Sequence, residues 1–206
     1  MAVGTTWLGA LESAAPDLVA AFQALDEGRY LAVRREVRRH AGEGTAIAAA
    51  AQLGAVAAHL DKLIATFPPA LLAAPGGEED WNVAQALGHT IAARQGLVLA
   101  AQLAAADRWP EGVPTVVPGV PGRPDADGSS LRERLARSQR FIERAAVRIA
   151  GHELTPCPLD HPLVGRLRCG EWLLFAGVHD LMHVEQVEGL LAGARRPAAI
   201  AHAGAG

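Results

Sequence analysis

The stretch Trp172-Leu173-Leu174-Phe175-Ala176-Gly177-Val178-His179-Asp180-Leu181-Met182-His183-Val184-Glu185-Gln186-Val187 decides the fold of this chain. Apolar residues at Trp172, Leu173, Leu174, Phe175, Val178 and Val187, continued by Leu190 and Leu191, mark an amphipathic helix. His179 and His183 are four residues apart, so on a helix they share one face, with their rings roughly 6 Å apart along the axis. Gln186 belongs to the same face. Such a face turns into the interior of a helical bundle, where two imidazoles are placed to chelate one ion. The alternative is a pair of core histidines satisfied by carbonyl groups.

Outward from this helix, the chain reads as further helices separated by breakers. Residues 6–40 predict one or two short helices broken around Asp26-Glu27-Gly28 and ending at Gly42-Glu43-Gly44. From Thr45, a candidate N-cap, Ile47, Leu53, Val56, Leu60, Leu63, Ile64 and Phe67 recur at helical spacing until Pro68-Pro69 stops them. After Gly76-Gly77, Asn82 and Gln85 have the spacing of a capping box, opening a helix that reaches about Ala106. Residues 107–128 carry five prolines and four glycines, which predicts a long irregular loop of the kind that covers a site or moves. Ser130 with Glu133 then opens a helix through Leu131, Leu135, Phe141, Ile142 and Ile149 to Gly151. A second irregular connection, His152 to Arg168, leads to the helix at about Gly170 to Ala194. The expected fold is all-α: a four-helix bundle over residues 45–194, an N-terminal helical extension over 1–44 and a tail over 195–206.

Composition agrees with closely packed helices. Half of the 206 residues are hydrophobic but only 4% are aromatic. A net charge of -3 and a pI near 6.2 give no general attraction to nucleic acid, and the cluster Arg34, Arg35, Arg38, Arg39 reads as a solvated helix face. Cys157 and Cys169 are too few for a disulfide framework, which predicts a reduced, cytoplasmic setting. No Lys/Arg-led signal and no uninterrupted apolar run of about 20 residues is seen, so no membrane association is expected. There is also no phosphate-binding loop, serine elbow or close Cys/His pair.

Three histidines fall well inside predicted long helices on faces able to point inward: His89, His179 and His183. Three neutral imidazoles suit Zn, Ni, Fe or Mn and leave coordination positions open for water or substrate. Asp180 and Gln186 are the candidate catalytic residues beside them. Asp180 is turned about 100° from His179, which suits a partner on another element better than a direct ligand. Gln186 is placed either to hold a water or substrate or to make an interhelical hydrogen bond. His161 before Pro162 reads as a turn residue. The small residues Gly88, Ala92, Ala93, Gly96, Ala176 and Gly177 either leave room for substrate or mark close helix packing.

The blocks Trp81-Asn82-Val83-Ala84-Gln85-Ala86-Leu87-Gly88-His89 and His161-Pro162-Leu163-Val164-Gly165…Glu171-Trp172…His179-Asp180-xx-His183-xx-Gln186 resemble the DinB-like (DinB/YfiT) superfamily over roughly residues 45–194. The resemblance implies a four-helix bundle with a three-histidine metal site, His89 from one helix and His179 and His183 from another. It further implies a metal-dependent enzyme acting on a small-molecule substrate, most concretely an S-transferase or isomerase that uses a low-molecular-weight thiol such as mycothiol. A metal-activated-water hydrolase and a non-catalytic stress or scaffold bundle are the alternatives. Two positions depart from the pattern: Asn82 replaces the commoner Ser/Thr, and Arg168 stands where Ser/Thr is frequent, which weakens the expected cap of the last helix. The N-terminal forty residues lie outside the resemblance and either cover the bundle or form a homodimer contact.

Overall fold

The computed structural model describes residues 6–25, 30–76, 80–113, 115–116 and 119–195. The break expected at Asp26-Glu27-Gly28 and the tail beyond Arg195 lie outside these residues. The elements are α1 (Thr6–Gly9), α2 (Pro16–Gln23), α3 (Tyr30–His40), α4 (Ala46–Thr66), α5 (Pro69–Leu72), α6 (Val83–Ala105), α7 (Gly128–Ile149), β1 (Pro156–His161), β2 (Gly165–Arg168) and α8 (Cys169–Arg195). Helices α4, α6, α7 and α8 form the bundle.

Helix boundaries follow local chemistry, not always that of the expected residues. Asn82 and Gln85 form the capping box read from their spacing: Gln85 N donates to Asn82 Oδ1 at 2.8 Å and Asn82 N to Gln85 Oε1 at 3.1 Å. Helix α7 starts earlier than expected because Asp127, not Ser130, caps it, accepting from Ser130 N at 2.7 Å. Thr45 does not cap α4 with its side chain; its hydroxyl donates to Gly42 O instead. The buried Glu153 supplies that end from a distance in sequence, its Oε1 accepting from Ala46 N and its Oε2 from Gly151 N. The weak cap expected at Arg168 is remedied by Glu171, whose carboxylate accepts from Arg168 N at 2.8 Å.

The connection 152–168 is more ordered than its prolines suggest. It forms an antiparallel hairpin with Asp160 opposite Arg166 and His161 opposite Gly165, and with an irregular register between Pro156 and Asp160. Gly165, at φ 66°, makes the turn. The hairpin packs on α6 and is the one departure from an all-helical fold among the described residues.

Within the bundle α6 packs on α7 and α8, and α4 on α7 and α8, so α4 and α6 occupy one diagonal and α7 and α8 the other. Asp61 meets Arg132 while Ala50 O meets Gln139, which makes α4 and α7 antiparallel. The loop after α6 returns to the beginning of that helix, where Gly122 N donates to Gln85 O and Asn82 Nδ2 to Pro124 O, before α7 starts. Helices α6 and α7 therefore run parallel. A 23-residue helix is about 35 Å long, so the chain needs an extended crossing to get back, and residues 106–127 make it.

The N-terminal helices share the bundle's core: Leu18, Val33 and Val37 are fully buried in one apolar cluster with Leu53, Leu87 and Trp172. Leu18 fills the notch at Gly177, where an added Cβ would come within 2.5 Å of it. The arginine cluster on α3 divides. Arg35 and Arg39 are solvated beside Glu36, whereas Arg34 donates to Arg166 O and Arg38 pairs with Glu171 at 3.5 Å, tying α3 to the hairpin and α8. Helix α4 is the one described helix long and apolar enough to cross a membrane, and half of that window is buried within the fold.

Candidate metal centre

Packing of α6 against α8 brings His89, His179 and His183 together. Their ring centroids are 5.4 Å (89 to 179), 5.2 Å (89 to 183) and 4.7 Å (179 to 183) apart. One potential ligand atom from each lies within 4.8 Å of the other two. Three atoms so spaced have a common point no more than about 2.8 Å from each (4.8/√3), against the ~2.1 Å of a zinc–imidazole bond. A rotamer adjustment of a fraction of an ångström closes that difference.

The ring orientations are set by hydrogen bonds from the second nitrogen. His89 Nδ1 is 2.8 Å from Val120 O, a carbonyl acceptor, which makes Nδ1 the protonated nitrogen and leaves the Nε2 lone pair free of a proton. His183 Nδ1 is 2.9 Å from Gln186 Oε1, with the same consequence when the amide oxygen faces it. Trp81 packs against His89 with ring centroids 5.0 Å apart. His179 is buried, and its Nδ1 is shielded from solvent without a hydrogen-bond partner. Burial holds His179 well below the ordinary histidine pKa, and the nearby imidazoles of His183, His89 and His161 act in the same direction. The ring is therefore neutral near pH 7, the form that ligates metals. An orphaned buried nitrogen in a cluster of three imidazoles fits a divalent ion.

The two candidate catalytic residues both have partners within the protein. Gln186 uses both ends of its amide: the oxygen meets His183 and the nitrogen donates to Gly76 O, so it orients a ring rather than presenting a group to substrate. Asp180 is fully buried against Arg94 of α6, with Nε to Oδ2 at 2.8 Å, and is not in the histidine group. That contact is one of charge, without a well-aligned hydrogen bond. Burial pushes the Asp180 carboxyl up to about 6, with Arg94 opposing. His161 stays outside the group: its Nδ1 accepts from Leu163 N and its ring packs against Phe175.

Ala92, Ala93 and Gly96 line a cavity of about 340 Å³ that opens beside His89. Gly88 does not; a Cβ there would come within 2.8 Å of Gly122 Cα, so it seats the crossing segment on α6. The contribution of Val120 has no signature in sequence, because every residue carries a carbonyl. That of Trp81 is visible only as part of the Trp-to-His89 block.

A four-helix bundle with three convergent histidines on two facing helices defines a class of metal-binding helical proteins. A family profile of the DinB superfamily matches residues 10–187, and the chain belongs to that superfamily. The match starts within the N-terminal segment, in keeping with the core that segment shares with the bundle. No curated protein and no solved structure gives a significant match.

Proposed function

We propose that the chain is a metal-dependent enzyme in which His89, His179 and His183 hold one divalent ion, and that it acts on a small molecule by activating a low-molecular-weight thiol for S-transfer or isomerisation. The observation that carries this reading is the trio of imidazoles with no carboxylate or thiolate among the described residues of the group. A bound divalent ion would keep its full charge there and supply Lewis acidity that lowers the pKa of a thiol or water. The residues present do the positioning. Val120 O and Gln186 point two rings, and Trp81 packs against the first of them.

The thiol has to come from outside the chain. Burial pushes Cys169 up to about 12 and raises Cys157, so both are protonated and inert near neutral pH. A hydrolase reading receives less support, since the acidic and amide candidates read from the sequence, Asp180 and Gln186, are already paired.

Untagged protein purified without chelator should contain one divalent ion per chain, and His183→Ala should contain none while keeping its helical circular dichroism, because apolar packing supplies the folding energy. In the Co²⁺-substituted protein, a panel of mycothiol, bacillithiol and glutathione should include one thiol that changes the d-d spectrum and supports electrophile conjugation only when metal is present. Ester or amide turnover without thiol would replace this reading with hydrolysis. A stoichiometric ion with no spectral change and neither activity would replace it with a scaffold.

A further inference from the structure

The exposed large apolar side chains are not scattered. Of the seven among the described residues, Leu99, Val113, Val116 and Val120 line a cavity that opens beside His89. Concentrations of this kind mark a surface that something covers. The cavity lies between α6 and the crossing segment, and its volume of about 340 Å³ is at the small end of ligand pockets. Among the described residues that line it, His89 is the only titratable one; the others are alkyl or glycine, with the Trp109 ring and Pro110.

The roof is anchored rather than draped. Arg108 N donates to Leu103 O at one end; Val116 bridges to Asp160 of β1 in the middle; Val120 O meets His89 and Gly122 N donates to Gln85 O at the other end. Small residues on α6 keep the floor low: an added Cβ at Gly96 would meet nothing within 4 Å. An apolar hollow this size, ending at an imidazole, has room for an uncharged group and, among its described lining residues, no carboxylate, lysine or arginine to pair with a charged one; Arg134, Arg137 and Arg144 line a separate hollow beyond Ala92, Gly96 and Leu99.

We infer that the substrate carries an uncharged alkyl or aryl arm that fills this cavity and delivers its polar, reacting end to the histidine group. The location of that polar end rests on the metal reading; the apolar arm does not. A charged or strongly hydrated arm lying in the hollow would be desolvated with no charged partner among the described residues that line it.

Two homologous series separate these claims. Linear alkanols of four to ten carbons, titrated into metal-free protein by calorimetry and Trp109 emission, should bind roughly fourfold tighter per added methylene until the cavity is full. Trp109→Phe should remove the emission change. Gly96→Leu, which fills the hollow and favours the helix, should abolish the chain-length dependence; Val116→Ser with Val120→Ser should weaken it from the roof side. The alkyl hydroxamic acids, titrated into zinc-loaded protein, should show the same dependence on top of a constant gain that His183→Ala removes. A flat alkanol series, or one unchanged by Gly96→Leu, overturns the apolar arm whatever the metal content proves to be. A normal alkanol series with no hydroxamate gain in protein carrying stoichiometric zinc overturns delivery to the histidines.

Discussion

Two of the three imidazoles are aimed by what their Nδ1 touches, and the means differ: a main-chain carbonyl at Val120 for His89, a side-chain amide at Gln186 for His183. The pair His179 and His183 is legible in the sequence, because i and i+4 on a helix need no tertiary information to share a face, whereas His89, on another helix, joins them through the resemblance of its block and the packing of α6 on α8. What the neighbours do is not legible. Asp180 does meet a partner on another element, as its angle on the helix suggests, but that the partner is Arg94 and is buried only the packed bundle reveals. The cysteines give the clearest residue-scale test. An unfolded thiol ionises near 9, whereas burial with Cys157 close by pushes Cys169 up to about 12. Its stabilising contribution is therefore complete below about pH 9 and is lost as pH rises toward 12. Denaturant unfolding at stepped alkaline pH should show stability falling through that window, less steeply in Cys169→Ala. At pH 8 a thiol reagent should leave the folded chain almost untouched and modify two thiols per chain once it is unfolded.

Among the elements, the long helices announce themselves through apolar periodicity and breakers, and the Asn82 cap is where its spacing says. The hairpin does not announce itself. Pro156, Pro158 and Pro162 argue against a strand by local preference, and the two short strands persist because β1 is packed on α6. Likewise the start of α4 depends on Glu153, more than a hundred residues away in sequence. The contact between α6 and the crossing segment is a second long-range dependence and has a functional reading. With Gly122 Cα packed where a Cβ on Gly88 would go, Gly88→Val should lift residues 120–123 and break the bond from His89 Nδ1 to Val120 O. Loss of such an orienting partner typically weakens metal binding by about 10- to 100-fold. A competitive zinc titration should show that loss, with far-UV circular dichroism unchanged; unaltered affinity would mean that Val120 does not hold the ring.

Across the whole molecule, one side chain touches all four bundle helices. Arg94 of α6 donates to Leu53 O of α4 and to Gln139 of α7, and its charge is met by Asp180 of α8. Removing one member of a buried pair leaves the other charge stranded, so Arg94→Ala should destabilise by about 3–5 kcal/mol. Arg94→Met with Asp180→Leu should recover most of it, as urea unfolding of both variants would show; equal losses would mean that the node matters for shape, not charge. The parallel course of α6 and α7 bears on a different matter, the adaptability of the scaffold. Topology dictates that the chain traverse the bundle between those helices, but not which side chains it carries over the histidines. Val113 and Val116 belong to that traverse and are exposed, and Trp109, also of the traverse, packs partly buried at the edge of the core. Guest preference and structural integrity are thus written in separable stretches of the chain, and the crossing can be redesigned for a bulkier or more polar guest while the framework beneath it is kept.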